Sequence, residues 1–171
     1  MPGFAIGQAG GILVGRYLGA GKSENAARTL SSARILALGL MGICGLLFAS
    51  RGGWLTAFYT PDPAVARLAG MLMVYAAIFQ LLDALAMVHL CVLRAVGDTR
   101  FSLLVTTVCA WGLTVPITLA LGLWLGWGAH GVYLGIIFEL IALAGITSWR
   151  VGGVKTGKVV RMDLLLGEQS G

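Results

Sequence analysis

The chain has 171 residues, of which 58% are hydrophobic and only 11% are charged, and its formal net charge is +5. Soluble domains carry about 25% charged residues, so this composition excludes an ordinary soluble protein and indicates one that spans a membrane. The basic residues mark the ends of apolar runs and do not cluster on one face, which argues against nucleic-acid binding. The cysteines Cys44, Cys91 and Cys109 lie in apolar segments without metal-ligand spacing, and we interpret them as small buried side chains.

Five apolar runs predict transmembrane helices, since a helix of about 20 residues crosses the hydrocarbon core of a bilayer. The predicted fold is an all-α, polytopic transmembrane helix bundle with spans at residues 1–18, 29–50, 68–93, 101–127 and 129–149, followed by a cytoplasmic polar tail at 151–171. Because the first run opens at Met1 without a polar flank, we expect the chain to belong to a longer protein.

The distribution of basic residues predicts the orientation of these spans. Of the 12 Lys and Arg residues, only Arg51 and Arg67 fall on one side of the alternating topology, and the others fall on the opposite side. Cytoplasmic loops are enriched in Lys and Arg, so the C-terminus is expected in the cytoplasm. The expected location is the inner cell membrane, which the chain crosses several times.

The first span carries glycines at every fourth position: Gly3, Gly7, Gly11, Gly15 and Gly19. At about 100° per residue these glycines form a ridge along one helix face, which lets another backbone approach closely. Tight packing is the simpler interpretation, and a dedicated sliding or hinge surface is the alternative. Gln8 on the same helix is a candidate for lining a cavity, or it satisfies a backbone group.

The third span places Asp83 near its centre and is the most informative part of the chain. A carboxylate at the middle of a membrane helix costs about 2.5 to 3.5 kcal/mol, so such a residue usually has a function. Gln80 lies one turn earlier on a similar face, where it can share a ligand with Asp83. His89 points about 120° away, which disfavours an Asp–His relay and favours a packed histidine. The alternative for Asp83 is a neutral acid hydrogen-bonded to a neighbouring helix.

The last two spans carry a proline and a second carboxylate. Pro116 removes one backbone hydrogen bond and predicts a kink near Trp111 and Gly112. Glu139 lies at the middle of the last span, and a functional role and a buried structural role are both open for it.

No catalytic triad, zinc-ligand spacing or paired-carboxylate motif can be assembled, so we expect no enzyme. The candidate cavity-lining residues are Gln8, Tyr75, Trp111 and Glu139.

Three strings of the sequence resemble the second half of the multidrug and toxic compound extrusion (MATE) family. They are GFAIGQAGGILVGRYLGAGK at 3–22, FQLLDALAMVHLCVLRAVGDTR at 79–100 and WGLTVPITLAL at 111–121. Family members resemble two six-helix lobes that face each other, and this chain is similar to most of the second lobe, to about Arg150. One departure is Ala95, where the family string often has glycine.

The resemblance implies secondary active efflux of organic, often cationic compounds by antiport with Na⁺ or H⁺. Asp83 matches a carboxylate that helps to bind the coupling cation in sodium-coupled members, so the implied ion-coupling residues are Asp83 and Gln80, with Asp83 as a Na⁺ ligand. No cofactor is implied besides the coupling ion. The implied partners are a drug-like cation, the lipid bilayer, and a missing N-terminal lobe or a second copy of the chain.

Two other functions remain open at this stage. A flippase-type exporter of a lipid-linked precursor would need a cationic cavity for pyrophosphate, and no basic residue falls at mid-span. A non-transporting remnant or a membrane-embedded interaction subunit is the other alternative. The working hypothesis is that cation occupancy of Asp83 competes with drug occupancy of a cavity between two lobes, which rock to give alternating access.

Overall fold

The computed structural model describes residues 2–59 and 62–155, and all regular secondary structure within those ranges is helical. The helices are α1 (Pro2–Gly19), α2 (Ser23–Tyr59), α3 (Pro63–Ala95), α4 (Thr99–Trp124) and α5 (Ala129–Lys155). Among the described helices, α2 to α5 are each long and apolar enough to cross a membrane. The all-α, polytopic fold class is therefore confirmed. The predicted polar tail lies outside the described residues from 156 onward.

The turns between helices follow from local residue choice. α1 ends in a turn in which Gly21 has φ +70°, a conformation that glycine adopts without a side-chain clash. α3 begins at Pro63, and the carboxylate of Asp62 accepts a hydrogen bond of 2.8 Å from the backbone N–H of Ala64. α3 and α4 are joined through Gly97, which has φ +90°. These short turns keep successive helices side by side in opposite directions.

α3 is the central helix, and its two faces pack against different partners. One hydrophobic cluster joins it mainly to α1 and α2, with Val14, Leu30 and Val88 fully buried. A second cluster joins α3 to α4 and α5, and it includes Leu90 and Leu140. The bundle therefore has an α1–α2 side and an α4–α5 side, divided by α3.

The glycine ridge of α1 lies directly on the backbone of α3. A Cβ atom at Gly11 would lie 2.8 Å from the carbonyl oxygen of Cys91, and one at Gly15 would lie 3.0 Å from that of Ala95. The distance at Gly11 is shorter than real Cβ atoms show, so only glycine allows this approach there, and the distance at Gly15 is tighter than most real Cβ contacts. The structure confirms tight packing at these positions. Because residue numbers rise together along the contact, α1 runs parallel to α3.

α4 contains two π-helical turns, at Ala110–Thr114 and Ala120–Trp124, on either side of Pro116. Proline has no backbone N–H, so the ordinary helical bond to the carbonyl four residues earlier cannot form. In the first turn the N–H of Val115 instead donates to the carbonyl of Ala110, which is the wider π pattern. The irregular backbone thus coincides with the region where a kink is predicted, and the kink at Pro116 stays a prediction.

Candidate functional site

A cavity of about 410 Å³ opens beside Asp83, between α1, α2 and α3. Ligand pockets in proteins commonly enclose about 300 to 1,000 Å³ and combine apolar walls with a few polar groups. This cavity follows that pattern, because its polar side chains are Gln80 and Asp83. Its lining residues are Gly3, Phe4, Met41, Phe48, Ala76, Phe79, Gln80, Asp83, Ala84 and Met87.

The carboxylate of Asp83 is half-buried in the wall of this cavity, near the middle of the apolar helix α3. Within residues 2–59 and 62–155, no side chain or backbone N–H donates a hydrogen bond to it, and no Lys, Arg or His forms an ion pair with it. A polar group that is removed from water normally has a hydrogen-bond partner, and the cost of lacking one is larger for a charged group such as a carboxylate. The alternative of an acid hydrogen-bonded to a neighbouring helix finds no support here.

Gln80 shares the cavity with Asp83, as the helical spacing predicts. Its side-chain Nε2 donates to the thioether sulfur of Met41 at 3.1 Å, across the α2–α3 contact. A thioether is a weak acceptor, so this bond is easily exchanged, and it leaves the amide oxygen of Gln80 available. The described part of the chain holds no group of three His, Cys, Asp or Glu residues that could bind a metal ion. A cation at Asp83 would therefore need carbonyl or water oxygens besides the carboxylate.

The other candidate residues lie outside the lining of this cavity. Gln8 and Trp111 are exposed, and the Trp111 side chain is 73% accessible. Tyr75 stacks on Tyr133 with ring centroids 6.0 Å apart, and it meets the edge of His130 at 5.7 Å. A role for Gln8, Tyr75, Trp111 and Glu139 in a larger cavity stays a prediction.

Glu139 has a defined partner within the bundle. The hydroxyl of Thr114, in the first π turn of α4, donates a hydrogen bond to the Glu139 carboxylate on α5. This bond ties the two helices of the α4–α5 side together.

The two carboxylates lie at nearly the same depth. α5 runs parallel to α3, because Tyr75 meets His130 and Tyr133 while His89 meets Thr147 further along both helices. Asp83 lies about 12 Å along the helix from Tyr75, and Glu139 lies about 9 Å from Tyr133. They are therefore within about 3 Å of the same level.

A fully buried histidine connects the two sides of the bundle. The Nε–H of Arg34 on α2 donates to Nε2 of His89 at 2.7 Å, so that nitrogen carries no proton. Nδ1 of His89 lies 3.3 Å from the hydroxyls of Thr147 and Ser148 on α5, where it can donate to one of them. Thr147 in turn donates to the carbonyl of Leu143 at 2.6 Å. His89 is thus a packed, hydrogen-bonded residue that does not line the Asp83 cavity.

Sequence reasoning missed two parts of this arrangement. The α2 side of the cavity is formed by Met41 and Phe48. The sequence did not indicate these two residues as cavity-lining, because Met and Phe are common in any apolar span. The bond between Arg34 and His89 was also missed, because it depends on the register between α2 and α3, which the sequence does not show. The sequence feature that could have indicated this bond is the presence of Arg34 and His89 within two otherwise apolar spans.

Comparison with known proteins gives a consistent family assignment. The MatE family model matches residues 1–119. The chain is 34% identical over 151 residues to the probable multidrug resistance protein NorM of Idiomarina loihiensis, an alignment that covers 86% of this chain and 33% of that protein. It is 32% identical over 146 residues to the multidrug resistance protein PmpM of Pseudomonas aeruginosa, covering 82% of this chain and 30% of that protein.

A third relative matches a shorter stretch at higher identity. The probable multidrug resistance protein NorM of Xylella fastidiosa is 43% identical over 96 residues, which is 56% of this chain and 20% of that protein. The chain therefore spans about a third or less of the length of these curated relatives. The family model covers well over half of the chain, and the resemblance seen in the sequence is confirmed: this multi-pass membrane protein belongs to the MatE family.

Proposed function

We propose that this chain supplies part of the second lobe of an efflux transporter that exports organic cations in exchange for Na⁺ or H⁺. The observation that carries this proposal is the Asp83 carboxylate, which lines an apolar cavity without a hydrogen-bond donor from the described residues. The relatives are named multidrug resistance proteins, which agrees with a drug-like substrate. The proposed location is the inner cell membrane, with the C-terminus in the cytoplasm.

The lining of the cavity suits a hydrophobic cation. Phe4, Phe48 and Phe79 offer ring faces, which attract organic cations through cation–π contacts. Met41 and Met87 are flexible and polarizable, so they can adapt to ligands of different shape. Asp83 would supply the charge that distinguishes a cation from a neutral compound of the same size.

The same lining argues against the flippase alternative. A lipid-linked precursor carries pyrophosphate, whose recognition calls for Arg or Lys side chains. None of the residues that line the cavity is basic, and the charged one is an acid. An organic cation therefore fits this cavity better than a phosphorylated lipid.

Coupling follows if Asp83 holds one cation at a time. A Na⁺ ion or a proton on the carboxylate would remove the charge that attracts the drug, and a bound drug would exclude the ion. Movement of this lobe against a partner lobe would then expose the cavity to alternate sides of the membrane. The residues in these proposed roles are Asp83, as the ion-binding group, and Gln80, as a neighbouring oxygen ligand.

The test is cation binding by the 171-residue chain in lipid nanodiscs. Ethidium binding, followed by fluorescence, is expected to weaken about tenfold or more in Asp83→Asn, because the substitution keeps the shape of the side chain and removes its charge. Glu139→Gln is the matched control, since it removes a carboxylate at the same depth outside the cavity, and its affinity should equal that of the unaltered chain. Circular dichroism confirms that each variant is helical.

Competition between ethidium and Na⁺ or protons identifies the coupling ion and tests the proposal. Displacement of ethidium by Na⁺ at constant pH would indicate sodium coupling, and displacement by lowering the pH without Na⁺ would indicate proton coupling. Either effect should vanish in Asp83→Asn. If Asp83→Asn binds ethidium as tightly as the unaltered chain does and responds equally to both ions, Asp83 has no part in coupling and the proposal fails.

A further inference from the structure

A second cavity, of about 450 Å³, lies at the end of the bundle where α1 turns into α2. It is lined by Leu13, Arg16, Tyr17, Ala20 and Lys22. Along α1, Leu13 is about 14 Å from Phe4, which lines the Asp83 cavity, so the two cavities are separate. We call this second cavity the basic cavity.

The basic cavity carries two positive charges without a neutralising partner. The ion pairs at this end of the described structure join Arg28 to Glu24 and Arg150 to Asp98. Within residues 2–59 and 62–155, neither Arg16 nor Lys22 makes a side-chain hydrogen bond or an ion pair. Two cations that share one concave surface repel each other, and an anion between them would remove that repulsion.

The backbone around the basic cavity is fixed by the turn that follows α1. The N–H of Lys22 donates to the carbonyl of Tyr17 at 2.9 Å, and the N–H of Gly21 donates to that of Leu18 at 3.0 Å. This pair of bonds is the usual glycine-dependent helix ending, and it folds Lys22 back over the last turn of α1. The carbonyl of Arg16 accepts from Ala20 at 3.1 Å. These bonds occupy carbonyl groups that would otherwise repel an anion.

The wall of the basic cavity continues into an apolar surface. Leu13 lies about one helical turn from Arg16, toward the middle of the membrane, and its side chain is 44% exposed. Its neighbour Ile12 is 65% exposed. A ligand that matches both parts has an anionic head at Arg16 and Lys22 and a hydrocarbon chain along Leu13 and Ile12.

We propose that the basic cavity binds the phosphate headgroup of an anionic phospholipid, with an acyl chain along Leu13 and Ile12. Basic side chains next to a membrane helix attract anionic lipids, and pockets of this kind between helices hold lipid headgroups. The apolar wall favours a lipid over free phosphate, which has no group to place there. This inference does not depend on the substrate or coupling ion of the Asp83 cavity.

The test measures phospholipid retention by the full chain. Phosphatidylglycerol is added to the detergent-solubilised protein, and bound lipid is counted by native mass spectrometry, with phosphatidylcholine as the neutral reference. The unaltered chain is expected to retain one phosphatidylglycerol in preference to phosphatidylcholine. The double variant Arg16→Gln with Lys22→Gln should bind it at least about tenfold more weakly, since each cation near a lipid surface changes binding by about fivefold.

Two further variants keep this test specific. Arg94→Gln with Arg100→Gln removes the same charge from exposed residues outside the basic cavity, and it should retain the lipid. Ala20→Trp fills the basic cavity while it keeps both cations, and it should lose the lipid. All the altered residues are exposed, so folding should be preserved, and circular dichroism checks this.

The outcomes separate a lipid site from simpler explanations. Equal weakening in both double variants would show that general surface charge attracts the lipid, and it would overturn the proposal. Complete displacement of phosphatidylglycerol by inorganic phosphate would show a site for the anion alone, which also overturns the lipid assignment. Full retention in Ala20→Trp would show that the lipid lies elsewhere.

Discussion

The two intramembrane carboxylates of this chain lie at one depth on opposite sides of α3, and their surroundings differ completely. Glu139 accepts a hydrogen bond from Thr114 within the α4–α5 contact. Asp83 faces a cavity lined by aromatic and methionine side chains and receives no hydrogen bond from the described residues. Depth in the membrane alone therefore does not distinguish the two residues. The combination of an unpartnered charge with an adjacent cavity is the stronger indication.

The largest effect is expected from removing His89, the residue that joins the two sides of the bundle. His89→Ala is expected to lower the free energy of unfolding by about 3 kcal/mol, because it leaves a cavity at a fully buried position and leaves the Arg34 guanidinium without its acceptor. Thermal unfolding in nanodiscs measures the change. Ser148→Ala, which removes one of two hydroxyls near His89 Nδ1, is the control and should have a much smaller effect. An equal loss in both variants would contradict this account of His89.

A second test replaces each carboxylate with leucine and compares the direction of the change in the free energy of unfolding. Asp83→Leu should raise the free energy of unfolding by about 2 kcal/mol, because an unpartnered carboxylate in an apolar cavity is unfavourable and leucine is not. Glu139→Leu should lower it, because Thr114 loses its acceptor. Unfolding of both variants in the same nanodiscs gives the answer. A loss of stability in Asp83→Leu would show that Asp83 has a structural partner, and the contrast would disappear.

Much of the fold could be predicted from the sequence, because composition and run length act locally. Apolar runs of membrane-spanning length gave the helices, and the four-residue spacing of glycines gave the contact face of α1. That face packs against the backbone of Cys91 and Ala95 on α3. This contact depends on tertiary packing, which the spacing of residues within one helix does not predict.

The site was predictable only in part, for the same reason. Asp83 and Gln80 stand one turn apart on one helix, so their common face follows from helical geometry, and both line the cavity. Met41 and Phe48 come from α2, and their place depends on how α2 and α3 align. Sequence reasoning favoured a functional role for Asp83 and left the role of Glu139 open, and it could not show the difference in their surroundings, because the partner of Glu139 is Thr114 on a third helix.

The smallest effect is expected from removing the hydrogen bond that distinguishes Glu139 from Asp83. Thr114→Val removes the hydroxyl and keeps the shape of the side chain, so only the hydrogen bond to Glu139 and the weaker contact with the carbonyl of Cys109 are lost. Hydrogen bonds between membrane helices contribute about 0.6 kcal/mol on average, and we expect a loss of about that size in thermal unfolding.

Ethidium affinity should stay unchanged in Thr114→Val, because Thr114 and Glu139 do not line the Asp83 cavity. Thr106→Val is the matched control, since that hydroxyl bonds only within α4, to the carbonyl of Ser102. If Thr114→Val weakened ethidium binding while Thr106→Val did not, the two sides of α3 would be coupled. Glu139 would then belong to the binding machinery together with Asp83, because a change confined to the α4–α5 contact would have reached the cavity through the helices that α5 packs against, α3 and α2.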